Sequence, residues 1–394
     1  MVRINRIRWR PFRVPFNREF HASHGVLTER EGYLVEVRTQ SGFTGLGEAS
    51  PLPDYAGGSL GECGSILNGL CHALVGKDAE MVTKVGLPKG MSVSDGAARP
   101  AVGSVQCAAT DALAQEGRNP FCSLLMSGSG ESSAAGATSV PVNGLIGDES
   151  PQQAAEQARA LITDGFDTVK VKVGRNRDRD LERISAVRDA MGESGKIRLD
   201  ANGAFDERVA LKRLGDFERF GVELIEQPVP PGPQAFETMG RLRSASGTPI
   251  AADESIRSIE DLHALRRAEI QNRGTHNRPD AVVVKPMLLG LADSVAIIQD
   301  CVSTRAPLKV IVATAFDAGV GTAMALHLAA TIPEQHRLAN GLGTLRFLES
   351  SLVQPIDVGI SGGRAEARGP GLGVRLDDAA MARYATGPWI EAVA

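Results

Sequence analysis

Residues 168–174 read Thr-Val-Lys-Val-Lys-Val-Gly. Side chains alternate along a strand, so Val169, Val171 and Val173 share one face and Lys170 and Lys172 the other. Valines on one side suit packing against helices. That leaves both lysines facing the lumen of a barrel. The same pattern recurs in both directions. Strands are predicted at 139–146, 168–173, 196–202, 223–227, 250–255, 281–285, 308–314 and 338–344. They start about 27–32 residues apart, the length of one strand plus one crossover helix. Amphipathic helical patterns fill 151–164, 178–191, 207–220 and 258–267. Eight such units in one run argue for a closed parallel (β/α) barrel over 136–350 rather than an open doubly wound sheet.

Upstream the pattern differs. Residues 33–38 alternate as a strand, 40–42 form a turn and 43–48 return as its partner. Helices are predicted at 59–75 and 102–125, so 1–130 reads as an α+β domain. Gly42, Gly45 and Gly47 lack the spacing of a dinucleotide loop and no helix follows them directly, so they read as hairpin glycines. Residues 126–137, rich in Gly, Ser and Ala, read as a linker. The weakly periodic stretch 352–394 is expected to pack back on the first domain.

The 394 residues are 42% hydrophobic and 23% charged, ordinary for a globular chain, while aromatics are only 4%, so the core must be aliphatic. A net charge of −4 with both signs mixed excludes a nucleic-acid footprint of clustered Lys and Arg. Five cysteines, an odd number with no CxxC pair, argue against a disulfide framework or a zinc site and for a reducing compartment. No run of about 20 apolar residues is present, and the basic N-terminus lacks a leader's apolar stretch. A cytoplasmic protein without membrane or nucleic-acid partners is expected.

In a barrel of this kind chemistry sits at the C-terminal ends of the strands. Three consecutive strands end in acids: Asp200-Ala201-Asn202, Glu226-Gln227-Pro228 and Asp253-Glu254-Ser255. Carboxylates converging on one rim repel unless a cation lies between them, and oxygen-only donors favour a hard ion such as Mg²⁺, with Mn²⁺ as a substitute. Lys285, after four apolar residues, points into the site almost opposite Lys170 and Lys172. Two neighbouring lysines in a low-dielectric lumen are expected to depress each other's pKa, which makes a base. Acids flanked by lysines on two sides form a proton-transfer layout beside a carboxylate-bearing small molecule. His327, in a helical stretch, reads as structural or surface; His21 and His24 fall in a loop near the site. Cys301 has no partner histidine, which argues against a thiol nucleophile.

The ordered set Lys170-x-Lys172, Asp200-Ala-Asn202, Glu226-Gln-Pro228, Asp253-Glu-Ser255 and Lys285-Pro286 resembles the enolase superfamily, in its muconate-lactonizing subgroup. The resemblance implies a modified TIM barrel with an α+β capping domain. It also implies Mg²⁺ held by Asp200, Glu226 and Asp253, Lys172 as acid and base, and Lys285 on the opposite face. Arg30-Glu31-Gly32, residues 47–53 (Gly-Glu-Ala-Ser-Pro-Leu-Pro), 313–317 (Ala-Thr-Ala-Phe-Asp) and 341–344 (Gly-Leu-Gly-Thr) resemble the o-succinylbenzoate synthases of that subgroup. These are lyases that dehydrate a succinyl-hydroxycyclohexadiene carboxylate in menaquinone synthesis. Substrate contacts are then expected at Asn202, Ser255, Thr314 and Thr344. Cap segments 21–26 and 51–55 are expected to cover the site. Dipeptide epimerases of the subgroup carry Asp-x-Asp at strand eight, where this chain has Gly341-Leu342-Gly343. The alternative is an N-succinylamino-acid racemase or another epimerase of the same subgroup, and a catalytically silent metal-binding barrel is a third reading. Superfamily members often associate, so a homo-oligomer is compatible with the resemblance.

Overall fold

The computed structural model describes residues 1–22, 25–53, 58–87, 96–125, 139–271 and 277–394. The predicted linker at 126–137, His24 and most of 271–278 lie outside them.

The N-terminal part is built on a long hairpin, β1 (Ile4–Ala22) and β2 (Gly25–Thr39), joined by β3 (Thr44–Ala49). The ladder runs to the hairpin tip, with His21 opposite Val26, so the predicted loop at 21–26 is strand on both sides. Two helices cover one face, α1 (Leu60–Leu74) and α2 (Ala98–Glu116). Ser59 and Glu62 close a capping box at the start of α1, satisfying two otherwise unpaired donors. The predicted helix 102–125 is broken after Glu116, where Arg118 takes φ +53°, and a short turn resumes at Phe121–Leu125.

The glycines of β3 have a packing reason. A Cβ on Gly47 would lie 1.9 Å from the carbonyl oxygen of Ser104, and one on Gly45 would lie 2.0 Å from that of Ala108. The strand is thereby pressed onto the backbone of α2. Ile7, Trp9, Val35, Val37, Leu67 and Val105 form the apolar core beneath this sheet.

The barrel strands are β4 (Gly144–Ile146), β5 (Thr168–Lys172), β6 (Lys196–Asp200), β7 (Leu224–Glu226), β8 (Ile250–Ala252), β9 (Ala281–Val284) and β10 (Lys309–Val312). They form one parallel sheet in sequence order. Each is followed by a helix against its outer face, such as α3 (Pro151–Thr163) and α4 (Arg177–Met191). The aliphatic partners of the lysines, Val169 and Val171, are fully buried in the core shared with these helices.

Two predicted strands differ. The stretch 139–146 is split: Ser139–Pro141 pairs antiparallel with Arg364–Glu366, and only Gly144–Ile146 joins the barrel. Pro141 has no N–H to give a ladder, which favours a break there. The eighth strand, 338–344, forms no continuous ladder. Single parallel bridges, Val142 to Asn340 and Ala313 to Gly341, close the barrel between β10 and β4. Glycines at 341 and 343 offer no side chain to pack and weaken a strand.

The C-terminal stretch ends in β11 (Ile390–Val393), which pairs antiparallel with β1. The Arg8 guanidinium lies 4.3 Å over the Trp389 ring and fastens this end of the chain to the cap sheet. No helix among the described residues is long and apolar enough to cross a membrane.

Candidate active site

Parallel register fixes which strand ends meet. Lys172 lies opposite Asp200 in the β5–β6 ladder, and Asp200 opposite Glu226 in the β6–β7 ladder. Asp253 directly follows β8 and Lys285 directly follows β9. Five strand ends in a row thus deliver lysine, acid, acid, acid and lysine to one rim.

The three acids are buried, each at most 2% exposed. Their partners are the lysines. Lys170 Nζ lies 2.9 Å from Asp200 Oδ2 and 2.5 Å from Glu226 Oε2. Lys285 Nζ lies 2.7 Å from Asp253 Oδ1. Lys172 makes a different bond, donating from Nζ to Asn202 Oδ1 at 2.6 Å. Asn202 in turn donates from Nδ2 to Glu254 Oε1 at 2.9 Å. Asn202 sits at φ +44°, the left-handed region, which turns its amide back onto Lys172.

These partners separate the lysines electrostatically. Burial alone disfavours each ammonium. For Lys170 the charges of Asp200, Glu226 and Asp253 outweigh burial and raise its pKa. For Lys285, Asp253 and Glu254 do the same. For Lys172, burial prevails over Asp200, and Lys170 adds to it, so its pKa is lowered. The expectation that both lysines of the strand would be depressed therefore fails for Lys170, because two carboxylates lie within bonding distance of it. Burial also raises Glu254, aided by the Asp253 charge, to about 7.

The donor chemistry fits a hard divalent cation: three carboxylates, oxygen only, on adjoining strand ends. Among the described residues, however, no three such side chains are gathered round one point. Lys170 and Lys285 hold the carboxylate oxygens, so a cation there would have to displace at least Lys170 from Asp200 and Glu226. The donor set fits magnesium in kind, and the ammonium groups mark where positive charge belongs.

Gln227, which sequence reasoning passed over, organises the rim from behind. It is fully buried at φ +39°. Its Oε1 accepts from the backbone N–H of Asp253 (3.0 Å) and of Ser255 (3.2 Å), and its Nε2 donates to Val229 O and Ser255 Oγ, both 2.8 Å. One amide thus ties β7 to the turn after β8 and fixes where Asp253 starts. Glu254 was likewise missed as a partner of Asn202. Nothing in the one-dimensional pattern separates an amide in a rim turn from a solvated one.

A cavity opens over this rim. Lys170, Lys172, Asp200, Asn202, Asp253 and Lys285 line its floor. Thr314 and Thr344 line it too, their hydroxyls 2.7 Å apart, as do Asn143, Gly341 and Gly343. Ser255 is absent from the lining; its hydroxyl is taken by Gln227. Above lie Gly25 and Leu27 of β2 and Leu52 of the segment after β3, facing Leu145, Leu288 and Phe316. The cap thus forms one wall of the cavity whose floor carries the lysines.

Of the other residues weighed, His327 is fully buried; its Nδ1 accepts from Cys122 N at 3.3 Å and its ring lies edge-on to Phe121. It is structural, not a surface histidine. All five cysteines are buried free thiols, Cys301 among them.

Residues 153–380 match the family described as Enolase C-terminal domain-like, and residues 7–126 match the Mandelate racemase / muconate lactonizing enzyme N-terminal domain. The chain belongs to the enolase superfamily. Its fold is therefore that superfamily's modified barrel with a cap, and its relatives are lyases, cycloisomerases, racemases and epimerases. It is 36% identical over 217 residues to an o-succinylbenzoate synthase of Thermobifida fusca (strain YX), a match that spans 54% of this chain and 62% of that relative. It is 27% identical over 330 residues to a hydrophobic dipeptide epimerase of Enterococcus faecalis, spanning 84% of this chain and 87% of that one. Among solved structures, N-succinyl Arg/Lys racemase from Bacillus cereus superposes with a TM-score of 0.84 at 20% identity, covering 99% of this chain and all of that one. A dipeptide epimerase from Cytophaga hutchinsonii, complexed with Mg and D-Ala-L-Val, superposes at 0.82 with 23% identity over 99% of this chain and all of that one.

Proposed function

We propose that this superfamily member is a Mg²⁺-dependent lyase that removes the proton next to a substrate carboxylate and eliminates water, an o-succinylbenzoate synthase. The observation that carries the reading is the rim itself: Lys172, with its lowered pKa, and Lys285, with its raised one, flank three strand-end acids, and both lysines line one cavity with Asp200 and Asp253. The likeness to the Thermobifida fusca synthase supports the substrate assignment.

In this reading Asp200, Glu226 and Asp253 hold the metal, which, when bound, would offset the charge of the substrate carboxylate and so ease loss of the neighbouring proton. Lys172 in its neutral form takes that proton onto Nζ; the freed electron pair forms the new C=C bond as the C–O bond breaks. Lys172 then gives its proton to the departing hydroxyl, which leaves as water, and the ring becomes aromatic. Asn202 Oδ1, held by Glu254, aims Lys172 Nζ. Lys285 stays an ammonium and stabilises the developing negative charge from the far side. Thr314 and Thr344 bind the rest of the substrate. Residues 1–130, joined by 352–394, act as the cap, and 136–350 as the barrel.

The same lysine pair supports a second reading, racemization of an N-succinylamino acid, in which a proton leaves to one lysine and returns from the other. The epimerase likeness over 87% of a relative's length favours keeping it. One assay separates the two. With added Mg²⁺, loss of the diene absorbance of the succinyl-hydroxycyclohexadiene carboxylate, stopped by EDTA, is the expected result. No diene loss, together with inversion of N-succinylamino acids in D₂O and uptake of solvent deuterium, would replace the lyase with the racemase.

A further inference from the structure

Cap and barrel meet in a buried polar cluster that no step above uses. Arg30, near the start of β2, is 3% exposed. Its guanidinium donates to three main-chain carbonyls across the seam, Pro51 O from Nη1 at 2.6 Å, Ser50 O from Nη2, and Phe316 O from Nε at 3.2 Å, and Nη1 also donates to the neighbouring Glu31 O at 3.4 Å. The first two belong to the segment after β3 and the third to the turn after β10. Glu48, at the end of β3, spans the same seam in the other direction. Its Oε1 accepts from Ala318 N at 2.8 Å and from Ser50 Oγ at 2.7 Å, and its Oε2 accepts from Gly321 N at 2.8 Å. Those N–H groups open the helix Gly319–Ala330, whose own cap residue, Ala318, has no side chain to serve them. A cap-domain carboxylate therefore caps a barrel helix, where the helix dipole favours negative charge.

The elements clamped this way are those that wall the cavity. Leu52 follows the two carbonyls Arg30 holds, and Ala315 and Phe316 form the turn whose carbonyl it holds. Phe316 takes φ +60°, a conformation a bulky residue adopts only when its surroundings impose it. Its ring lies 5.5 Å from that of Phe16, so its position is fixed from both sides. The nearby Asp317 is fully buried, with Oδ1 accepting from Ala315 N at 3.2 Å. Burial and the Glu48 charge push it up to about 7.

We infer that Arg30 and Glu48 are positioning residues that lock the segment after β3 to the turn after β10 and so set the wall that receives the part of the substrate remote from its carboxylate. The inference rests on reading this cavity as the active site. It is tested on the full chain with Arg30→Lys, which keeps the charge but cannot span three carbonyls, and with Glu48→Gln as a second variant should the first fail to fold. Amide hydrogen exchange is followed by mass spectrometry, beside Mg²⁺ binding and steady-state kinetics. Exchange is expected to quicken at 50–53 and 315–321, at least about 10-fold, with Mg²⁺ affinity unchanged and KM raised about 10-fold while kcat changes less. Unchanged exchange at both segments would overturn the inference. So would a loss of protection spread evenly over the barrel, or a fall in kcat without a rise in KM. The exchange and Mg²⁺ readouts need no substrate, so failure of the clamp is distinguishable from a wrong substrate assignment.

Discussion

The floor and the roof of the cavity are made by different rules. The floor is five neighbouring strand ends, and its chemistry follows from strand alternation and the order of the sheet. The roof is a few side chains of Leu27, Leu52 and Phe316 held by contacts between residues hundreds of positions apart, such as Arg30 with Phe316 and Glu48 with Ala318. Local periodicity therefore reaches the rim, while the roof is built where periodicity has nothing to say. The same contrast exists within the floor. Lys170 and Lys172 are two residues apart on one face, yet one is raised by bonded carboxylates and the other lowered by burial.

That contrast can be broken by substitution. Removing Lys172 as Lys172→Ala is expected to lower kcat by about 10³-fold or more, since general base catalysis is worth roughly 10²–10⁴. Lys170→Ala is expected to act differently, because Lys170 neutralises two buried acids: the main loss should appear as altered Mg²⁺ affinity in a titration. If both variants lost only kcat, by the same factor, the electrostatic separation of the two lysines would be wrong.

Gln227→Ala removes the amide that holds the Asp253 and Ser255 N–H groups. Outer partners of metal ligands are worth about 10–100-fold in affinity, so Mg²⁺ binding measured by calorimetry should weaken by that order. The unsatisfied buried donors should also cost about 1–3 kcal/mol of stability in urea unfolding.

His327 tests the structure away from the site. Burial lowers its imidazole to about 4, below the ordinary value of 6.5. The fold then binds fewer protons than the unfolded chain, so its contribution is complete above the unfolded pKa and is lost as pH falls from about 6.5 toward 4. The effect is at most about 3 kcal/mol. His327→Leu should flatten the stability profile between pH 6.5 and 4; an unchanged slope would show that His327 already titrates normally.

The smallest effect is expected at the hydroxyl pair. Thr314→Val should raise KM severalfold with kcat nearly unchanged, whereas a collapse of kcat would move Thr314 into the chemistry.

Much of this was legible beforehand, for identifiable reasons. Seven of the eight predicted barrel strands were legible because short aliphatic runs recur at one spacing, and the rim acids because each ends such a run. The eighth strand was missed as a break because Gly341 and Gly343 sit in an otherwise strand-like stretch. The clamp of Gln227 and the Lys172–Asn202–Glu254 chain were not legible. Both depend on positive φ values at Gln227 and Asn202 that turn amides back toward the rim, and sequence marks such turns reliably only with glycine. His327 was read as structural or surface because a lone histidine in a helix gives no sign of what packs on it.

In the proposed reaction Lys172 moves the proton. Diene loss by wild type is therefore to be compared with that by Lys172→Ala at saturating Mg²⁺, with both proteins shown to be folded and to bind the metal equally. The expected result is rapid loss for wild type and none above background for the variant. Turnover by Lys172→Ala at a rate near wild type would contradict the account.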